Sequence, residues 1–266
     1  MEYVLLAAVG LATGVLGGMM GIGGSVIMLP AMVWLLGAKH DGVEQIHQYQ
    51  AAAMIVNFLL ILPSVSVHFR RGAIWKRVWM LLSVGALIGV IAGVWISGWF
   101  VGDAAHYLRW ILGAFFIYVA SYNAIALIRP LKSEGLDQAQ VDKGPRWRKL
   151  GVGLFIGVTS GLTGVGGGAL AVPLQQSVLR MPLRNAIATS SAMIATFIWF
   201  GALLKNLQLG EGGSIHRSLV LAGCLAPTAM IGSYFGGHLT HILPLHLVRL
   251  AFVLLMGASA FKMIAG

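Results

Sequence analysis

Apolar runs of about 20 residues, the length of a membrane-spanning helix, constrain this chain more than any other feature. Uninterrupted runs of this kind cover residues 46–67, 74–98, 104–128, 187–205, 218–237 and 245–264. Of the 266 residues, 58% are apolar and only 10% are charged, whereas a soluble domain carries about 25% charged residues. The charges fall in short breaks between the runs, because a charge at the bilayer centre costs several kcal/mol. The sequence therefore predicts an all-α, polytopic membrane protein.

Two further apolar stretches, residues 3–37 and 150–179, carry a glycine-rich break near the middle. At 1.5 Å per residue the first would be about 50 Å long as one straight helix, against about 30 Å of hydrocarbon. Each stretch is therefore predicted to form two shorter helices joined by an irregular turn. The sequence leaves open whether these stretches cross the membrane or turn back within it. Together with the six plain runs, they give eight hydrophobic segments.

The two broken stretches are copies of one another. When the chain is shifted by 143 residues, residues 9–30 fall on residues 152–173, and ten of these 22 positions are identical. Later landmarks keep their order, since Ala53-Met54-Ile55 recurs as Ala192-Met193-Ile194. Such self-similarity predicts a duplicated architecture. We predict a first transmembrane repeat at 1–129, a polar cytoplasmic linker at 130–149 and a second repeat at 150–266, each repeat opening with a glycine-broken segment.

Basic residues indicate which loops face the cytoplasm. The linker and the loop around residues 70–77 are rich in Lys and Arg, while residues 99–108 contain neither. The positive-inside rule then places the linker and the 70–77 loop in the cytoplasm. In the second half the rule gives a tie, with three basic residues on each side: Lys205, Arg217 and Lys262 against Arg180, Arg184 and Arg249. Parallel and inverted repeats both remain open.

The paired glycine breaks are the first candidates for a binding site. Irregular backbone at membrane depth is tolerated only where protein or a water-filled cavity covers it, and transporters use half-helix N-termini there to bind anions. Glycine also permits a positive φ and a close approach of a ligand to the backbone. The candidate residues are Gly21, Gly23, Gly24 and Ser25 in the first break, and Gly164, Gly166, Gly167 and Gly168 in the second. The alternative is that these glycines only allow close helix packing.

Uncharged polar residues inside the apolar segments are the second group of candidates. Neutral donors can bind an oxyanion without placing another charge in the membrane. The candidates are Gln50, Asn57, Gln175, Thr189 and Ser190. Ser and Thr have the alternative of bonding back to their own helix. His47 lies at the start of a segment, where we expect it to reach the membrane interface.

Several classes of function lack their sequence requirements. No Asp or Glu lies deep in a segment, no Lys-Ser or Lys-Thr follows the glycines as a P-loop requires, and Cys224 is the one cysteine. An intramembrane enzyme would need a nucleophile–base pair or a metal cluster, and the sequence offers neither. We therefore predict a protein that is not an enzyme and needs no cofactor or metal. The net charge of +10 fits basic cytoplasmic loops and also favours an anionic substrate; nucleic acid is not expected.

The duplicated G-x-x-x-G-x-x-G-x-G-G pattern ending in Pro resembles the sulfite exporter TauE/SafE family. The resemblance covers essentially the full chain, and residues 186–190, Ala-Ile-Ala-Thr-Ser, also look like a family pattern. The first half departs from it, with Gln48, Gln50 and Ala51 where Thr-Ser is expected. The resemblance implies a permease for sulfur-containing anions such as sulfite, thiosulfate or C2 sulfonates.

The leading hypothesis is a secondary transporter, as an exporter, of a small sulfur-containing anion across a bacterial-type inner membrane. The alternatives are an anion channel or a membrane subunit of a larger transport complex. The expected partners are the anion and the lipid bilayer. A homodimer is left open by the sequence.

Overall fold

The computed structural model describes residues 2–21, 23–37, 39–40, 43–100, 104–128, 136–210 and 214–239, with a few single positions between 250 and 261. The helices are α1 (Glu2–Met20), α2 (Ser25–Leu36), α3 (Ile46–Arg70), α4 (Lys76–Ser97), α5 (Ala105–Ile128), α6 (Gln138–Lys143), α7 (Arg146–Thr163), α8 (Gly168–Ser177), α9 (Leu183–Leu207) and α10 (Ile215–Leu239). A short hairpin, β1 (Lys39–His40) with β2 (Val43–Glu44), joins α2 to α3. The predicted segment 245–264 lies outside the described residues apart from those single positions.

The predicted helical membrane architecture is confirmed for the described part of the chain. Among its helices, α3, α4, α9 and α10 are each long and apolar enough to cross a membrane. Helix α4 has the surface expected of a membrane-spanning helix. One face is buried, and the other exposes apolar side chains at helical spacing. The exposed row is Met80, Val84, Ile88, Ile91 and Trp95. Such a row would be unfavourable in water and suits lipid tails.

Helices α3 and α9 form the centre of the bundle and run in opposite directions. The Trp75 N–H, just beyond the end of α3, donates to Thr189 Oγ1 near the start of α9 at 3.3 Å. At the opposite end, the Ser214 N–H beyond the end of α9 donates to Gln48 Oε1 near the start of α3 at 2.9 Å. Each helix therefore begins beside the end of the other. We call these two ends of the bundle the Arg70 end and the Gln48 end.

Two closely packed helix pairs flank the centre, and small residues lie at the contact in both pairs. Helix α1 packs against α10 in the same direction, with Gly14 against the Ala229 carbonyl. Helix α7 packs against α4, also in the same direction, with Gly157 against the Ala86 carbonyl. A side chain at either glycine would overlap the backbone of the neighbouring helix. The glycines thus set the interhelical distance, as small residues do in membrane proteins.

Each glycine-broken segment consists of two helices, as predicted, and returns to the end of the bundle at which it starts. Helix α1 runs parallel to α10 and so begins at the Gln48 end. Helix α2 ends there too, because the Tyr49 hydroxyl donates to the Gly37 carbonyl at 3.0 Å. Helix α7 begins at the Arg70 end with α4. Helix α8 leads back to the linker, where the Leu136 N–H donates to the Arg180 carbonyl at 2.8 Å.

The predicted linker, 130–149, is partly helical where it is described. It contains α6, whose start is stabilised by a capping box between Asp137 and Gln140, and the first turn of α7. Lys149 ties these helices together, since its ammonium donates to the carbonyls of Asp142 at 3.0 Å and Gly144 at 3.1 Å. The predicted boundary at residue 150 thus falls one turn inside α7.

Candidate substrate site at the two glycine breaks

Both glycine breaks use backbone conformations that favour glycine. Gly21 and Gly23 have φ of 62° and 74° in the first break. Gly164, Gly166 and Gly167 have φ of 68°, 77° and 69° in the second. A helix cannot continue through residues of positive φ, so each helix pair must break here. Helices α2 and α8 then begin inside the protein, and neither has a side-chain cap.

The two breaks are in direct contact. The Ser25 hydroxyl, on the first residue of α2, donates to the Val165 carbonyl in the second break. These two residues are 140 positions apart in the chain. The half-helix N-termini of α2 and α8 are therefore brought together at one place. Because the amides of the first two residues of a helix have no partner within that helix, their N–H groups and the positive dipole ends are available there.

Asn57 of α3 lies between the two breaks. Its Oδ1 accepts the Gly24 N–H at 3.1 Å, and its side chain is 0% exposed. Its Nδ2 has no hydrogen-bond partner. A Cβ added at Gly23 or at Gly166 would overlap the Asn57 carboxamide, so both glycines leave the space that this side chain occupies. One end of the amide thus holds the first break, and the other end is an unused donor facing the second.

Two further candidates touch the breaks. Gln50 lies against Gly164, with a long contact of 3.5 Å from its Nε2 to the Leu162 carbonyl, and its Oε1 has no partner. The Ser190 hydroxyl donates to the Gly21 carbonyl and is also within 2.9 Å of the carbonyl of Ile187 on its own helix. The back-bonding alternative therefore applies in part to Ser190. Ser191, which was not among the candidates, also lies beside Gly21.

The structure does not bring all the candidates to the same point. Thr189 is buried, and its hydroxyl accepts the Trp75 N–H, so its described contact fastens the loop before α4. Gln175 of α8 is 0% exposed, and neither its Nε2 nor its Oε1 has a partner. Gly167 and Gly168 form the N-cap and first residue of α8. The candidates that meet around Asn57 are Gly23, Gly24, Ser25 and Gly166.

Two basic side chains were misjudged from the sequence. His47 is buried at 5% exposed, so the prediction that it reaches the membrane interface is wrong. Lys205, counted above among the charges of one face, is 1% exposed inside the bundle. Both lie near the ends of apolar runs, where a cation normally reaches the surface. In the structure, Lys205 contacts Ser97 at the end of α4, and His47 contacts Phe100 just beyond it.

The chemistry of the meeting point is that of a neutral donor site. Amide N–H groups and the free end of a carboxamide can replace part of the hydration shell of an anion. Among the described residues, no group of three or more His, Cys, Asp or Glu side chains could hold a metal ion. The site therefore suits a small polar ligand that accepts hydrogen bonds.

The chain is similar to several proteins that are named as probable membrane transporters. The chain is 26% identical to the probable membrane transporter protein MamO of Magnetospirillum gryphiswaldense, over 97% of the chain and 44% of that protein. It is 24% identical to the probable membrane transporter protein YunE of Bacillus subtilis, over 90% of the chain and 87% of the relative. A probable membrane transporter protein of Haemophilus influenzae is 26% identical over 98% of both chains. The chain thus spans less than half the length of MamO.

No solved structure matches the chain. The family described as "Sulfite exporter TauE/SafE" matches residues 6–263, nearly the whole sequence. The apolar helices and these relatives agree on a multi-pass membrane protein. The chain belongs to the sulfite exporter TauE/SafE family of membrane proteins.

Proposed function

We propose that this protein is a secondary transporter that exports a small sulfur-containing anion, such as sulfite or an organosulfonate. The anion binds where the two glycine breaks meet. The observation that carries this proposal is the position of Asn57, whose buried carboxamide contacts both breaks and keeps one donor unused. A buried donor without a hydrogen-bond partner destabilises the protein. Such a donor is expected where a ligand supplies the missing acceptor.

The proposed binding mode uses neutral donors. The Asn57 Nδ2 and the first-turn amides of α2 and α8 donate to the anion's oxygens, and the positive helix ends favour its charge. Gln50, Gln175, Thr189 and Ser190 are assigned to the same substrate path, as are Gly21, Gly164, Gly167 and Gly168. The name of the family favours a sulfur oxyanion and the direction of export.

The proposed architecture is eight hydrophobic segments in two inverted repeats, 1–129 and 150–266. The opposite directions of α3 and α9 support inversion, as do the corresponding contacts of Gly14 with Ala229 and of Gly157 with Ala86. Each broken segment is re-entrant and meets the other near the midplane. Alternating access then follows from movement of one repeat against the other around the Asn57 site. The other proposed partners are the lipid bilayer and, in a homodimer, a second copy of the chain.

The test is uptake by purified protein in liposomes, using sulfite, sulfate, thiosulfate, taurine and sulfoacetate with chloride as the control anion. Saturable uptake of one sulfur anion, accelerated by the same anion on the opposite side, is the expected result for a carrier. Flux that does not saturate and shows no such acceleration would instead indicate a channel. Folded protein that moves no sulfur anion would overturn the proposed substrate class.

A further inference from the structure

Lys205 is a basic side chain buried inside the helix bundle. It lies near the end of α9 at the Gln48 end and is 1% exposed. Its ammonium donates to the hydroxyl of Ser97, at the end of α4. Among the described residues, no carboxylate lies within ion-pair distance of Lys205.

Burial of an ammonium group inside the helix bundle is unfavourable in free energy. Removing an ammonium from water costs several kcal/mol unless a counter-charge and hydrogen bonds compensate, and ionisable residues inside membranes mark substrate paths for this reason. An ammonium has three donors, and the hydroxyl of Ser97 uses one. Since that hydroxyl oxygen accepts the Lys205 donor, its own hydrogen is free to donate to a third group. The Lys205 ammonium thus has two N–H donors left, and the Ser97 hydroxyl has one O–H donor. No acceptor for these three donors is described.

The surroundings of Lys205 add no negative charge that the structure describes. His47 of α3 lies at the same end of α4, because its ring is held at Phe100, three residues after Ser97. Its Nε2 lies 2.6 Å from the Phe100 carbonyl, which can only accept, so Nε2 carries a hydrogen. A lysine, a histidine and a serine hydroxyl therefore form one electropositive cluster. We call Lys205, Ser97 and His47 the Lys205 cluster.

The Lys205 cluster is connected to the Asn57 site along one face of α3. His47, Gln50, Met54 and Asn57 are spaced by three or four residues and so lie on the same stripe of the helix. His47 and Asn57 are about 15 Å apart along the axis at 1.5 Å per residue. Gln50, between them, has an unpartnered Oε1. Three polar side chains on this stripe, His47, Gln50 and Asn57, therefore lie between one end of the bundle and the glycine breaks.

From this arrangement we infer that the Lys205 cluster is a second anion subsite, at the Gln48 end of the substrate path. It binds the same small oxyanion or sulfonate after it leaves the Asn57 site, and the inference rests on the proposed transport function. Lys205 supplies the charge that the Asn57 site lacks, while Ser97 orients the ammonium and donates to an anion oxygen. The positive-inside rule places the Gln48 end away from the cytoplasm, which suits a subsite on the exit side of an exporter.

The experiment compares wild type with Lys205→Met and Lys205→Arg, using Lys76→Met as the matched control on an exposed lysine at the Arg70 end. Sulfite binding is measured by calorimetry in lipid nanodiscs, sulfite uptake in liposomes, and thermal unfolding with and without sulfite. Lys205→Met should weaken sulfite binding about tenfold or more, the value of a lost charge-assisted hydrogen bond. Lys205→Arg should stay within about threefold of wild type because the charge is kept.

The stability measurement separates a ligand-binding lysine from a structural one. Without sulfite, Lys205→Met should unfold at the same temperature as wild type or higher, because an unpaired buried charge is removed. The stabilisation of wild type by sulfite should be reduced in this variant. A lower unfolding temperature with unchanged sulfite binding would make Lys205 a structural partner of another group and overturn the subsite. Wild type that neither binds nor moves sulfite would instead overturn the proposed function, on which the subsite depends.

Discussion

At the scale of single residues, Asn57 explains why the proposed site uses an amide and not an acid. Its oxygen accepts the Gly24 N–H while its nitrogen remains a donor. A carboxylate has no donor when ionised, and its charge would repel an anion. An amide therefore holds the first break and still presents a donor to the second. A carboxamide suits this division of roles because its acceptor and its donor are on separate atoms.

Asn57→Asp tests that division with almost no change in volume. We expect loss of sulfite uptake, because the variant replaces the free donor with an acceptor that is negatively charged when ionised. Uptake into liposomes is measured at matched protein levels, with thermal unfolding as the check on folding. Gln138→Glu, the same change of amide to acid on the exposed helix α6, should transport like wild type. An Asn57→Asp protein with normal uptake would remove Asn57 from the site.

Gly23 is predicted to matter for the space that it leaves as well as for its backbone. Gly23→Ala adds a Cβ that overlaps the Asn57 carboxamide, and it also forces alanine into a φ of 74°. We expect uptake to fall at least tenfold, as displacement of Asn57 breaks its bond to Gly24.

Gly72→Ala is the matched control for Gly23→Ala, because Gly72 has a φ of 63° with nothing near the added Cβ. Its cost is limited to backbone strain of about 1 kcal/mol. Liposome uptake by the two variants at equal reconstitution is the measurement. Equal uptake by both would show that the contact with Asn57 is unimportant.

At the scale of helices, the close pairs depend on glycines that face a neighbouring backbone. Gly85, Gly89 and Gly93 of α4 lie against α7, as do Gly232 and Gly236 of α10 against α1. In lipid there is little hydrophobic gain from bringing helices together, so van der Waals contact at short distance has to hold them. Any side chain at these positions separates the helices and loses that contact along their length.

Gly157→Val should destabilise the protein, because its side chain would meet the backbone of Ala86. Overpacking of this kind costs about 1–3 kcal/mol, and more where the obstacle is backbone. Gly151→Val on the same helix has nothing near its Cβ and should have a small effect. Thermal unfolding in detergent, followed by tryptophan fluorescence, compares the two. If both variants unfold like wild type, the α4–α7 contact does not limit stability.

At the scale of the whole molecule, the opposite directions of α3 and α9 decide at which end of the bundle the basic residues of the second repeat lie. From the sequence alone, these residues were divided equally between the two faces of the membrane. Arg180 lies at the Arg70 end, where its carbonyl accepts a bond from the linker. Lys205 lies toward the Gln48 end but is buried and adds no surface charge there. Among the described basic residues of the second repeat, Arg180 and Arg184 then lie at the Arg70 end and Arg217 at the Gln48 end, which agrees with a cytoplasmic location for the Arg70 end.

Re-entry of the second broken segment can be tested by labelling from the two sides of the membrane. Single cysteines are introduced as Arg148→Cys in the first turn of α7 and Val178→Cys just after α8, in a Cys224→Ala background. Both positions are exposed, and re-entry predicts that a thiol reagent that cannot cross the membrane labels both from one side. Gln208→Cys, beyond the end of α9, should be labelled from the opposite side. Labelling of residues 148 and 178 from opposite sides would instead mean that this segment spans the membrane.

The sequence by itself determined the class of the protein and the location of its irregular backbone. Long apolar runs require a membrane, and two matching glycine clusters inside such runs require broken helices, because positive φ and close backbone contact are local demands. The family followed from the same residues. These features are visible in one dimension because each depends on a residue's immediate neighbours in the chain.

The tertiary structure decided which polar residues meet and in which direction the helices run. Ser25 touches Val165 and Lys205 touches Ser97 only because distant helices pack side by side. Thr189 shared a segment with Ser190, yet its described hydrogen bond joins it to Trp75 and not to a glycine break. Helix direction escaped the sequence because the basic residues of the second half were evenly divided. Burial of Lys205 depends on three helices at once, and no local pattern in the sequence records it.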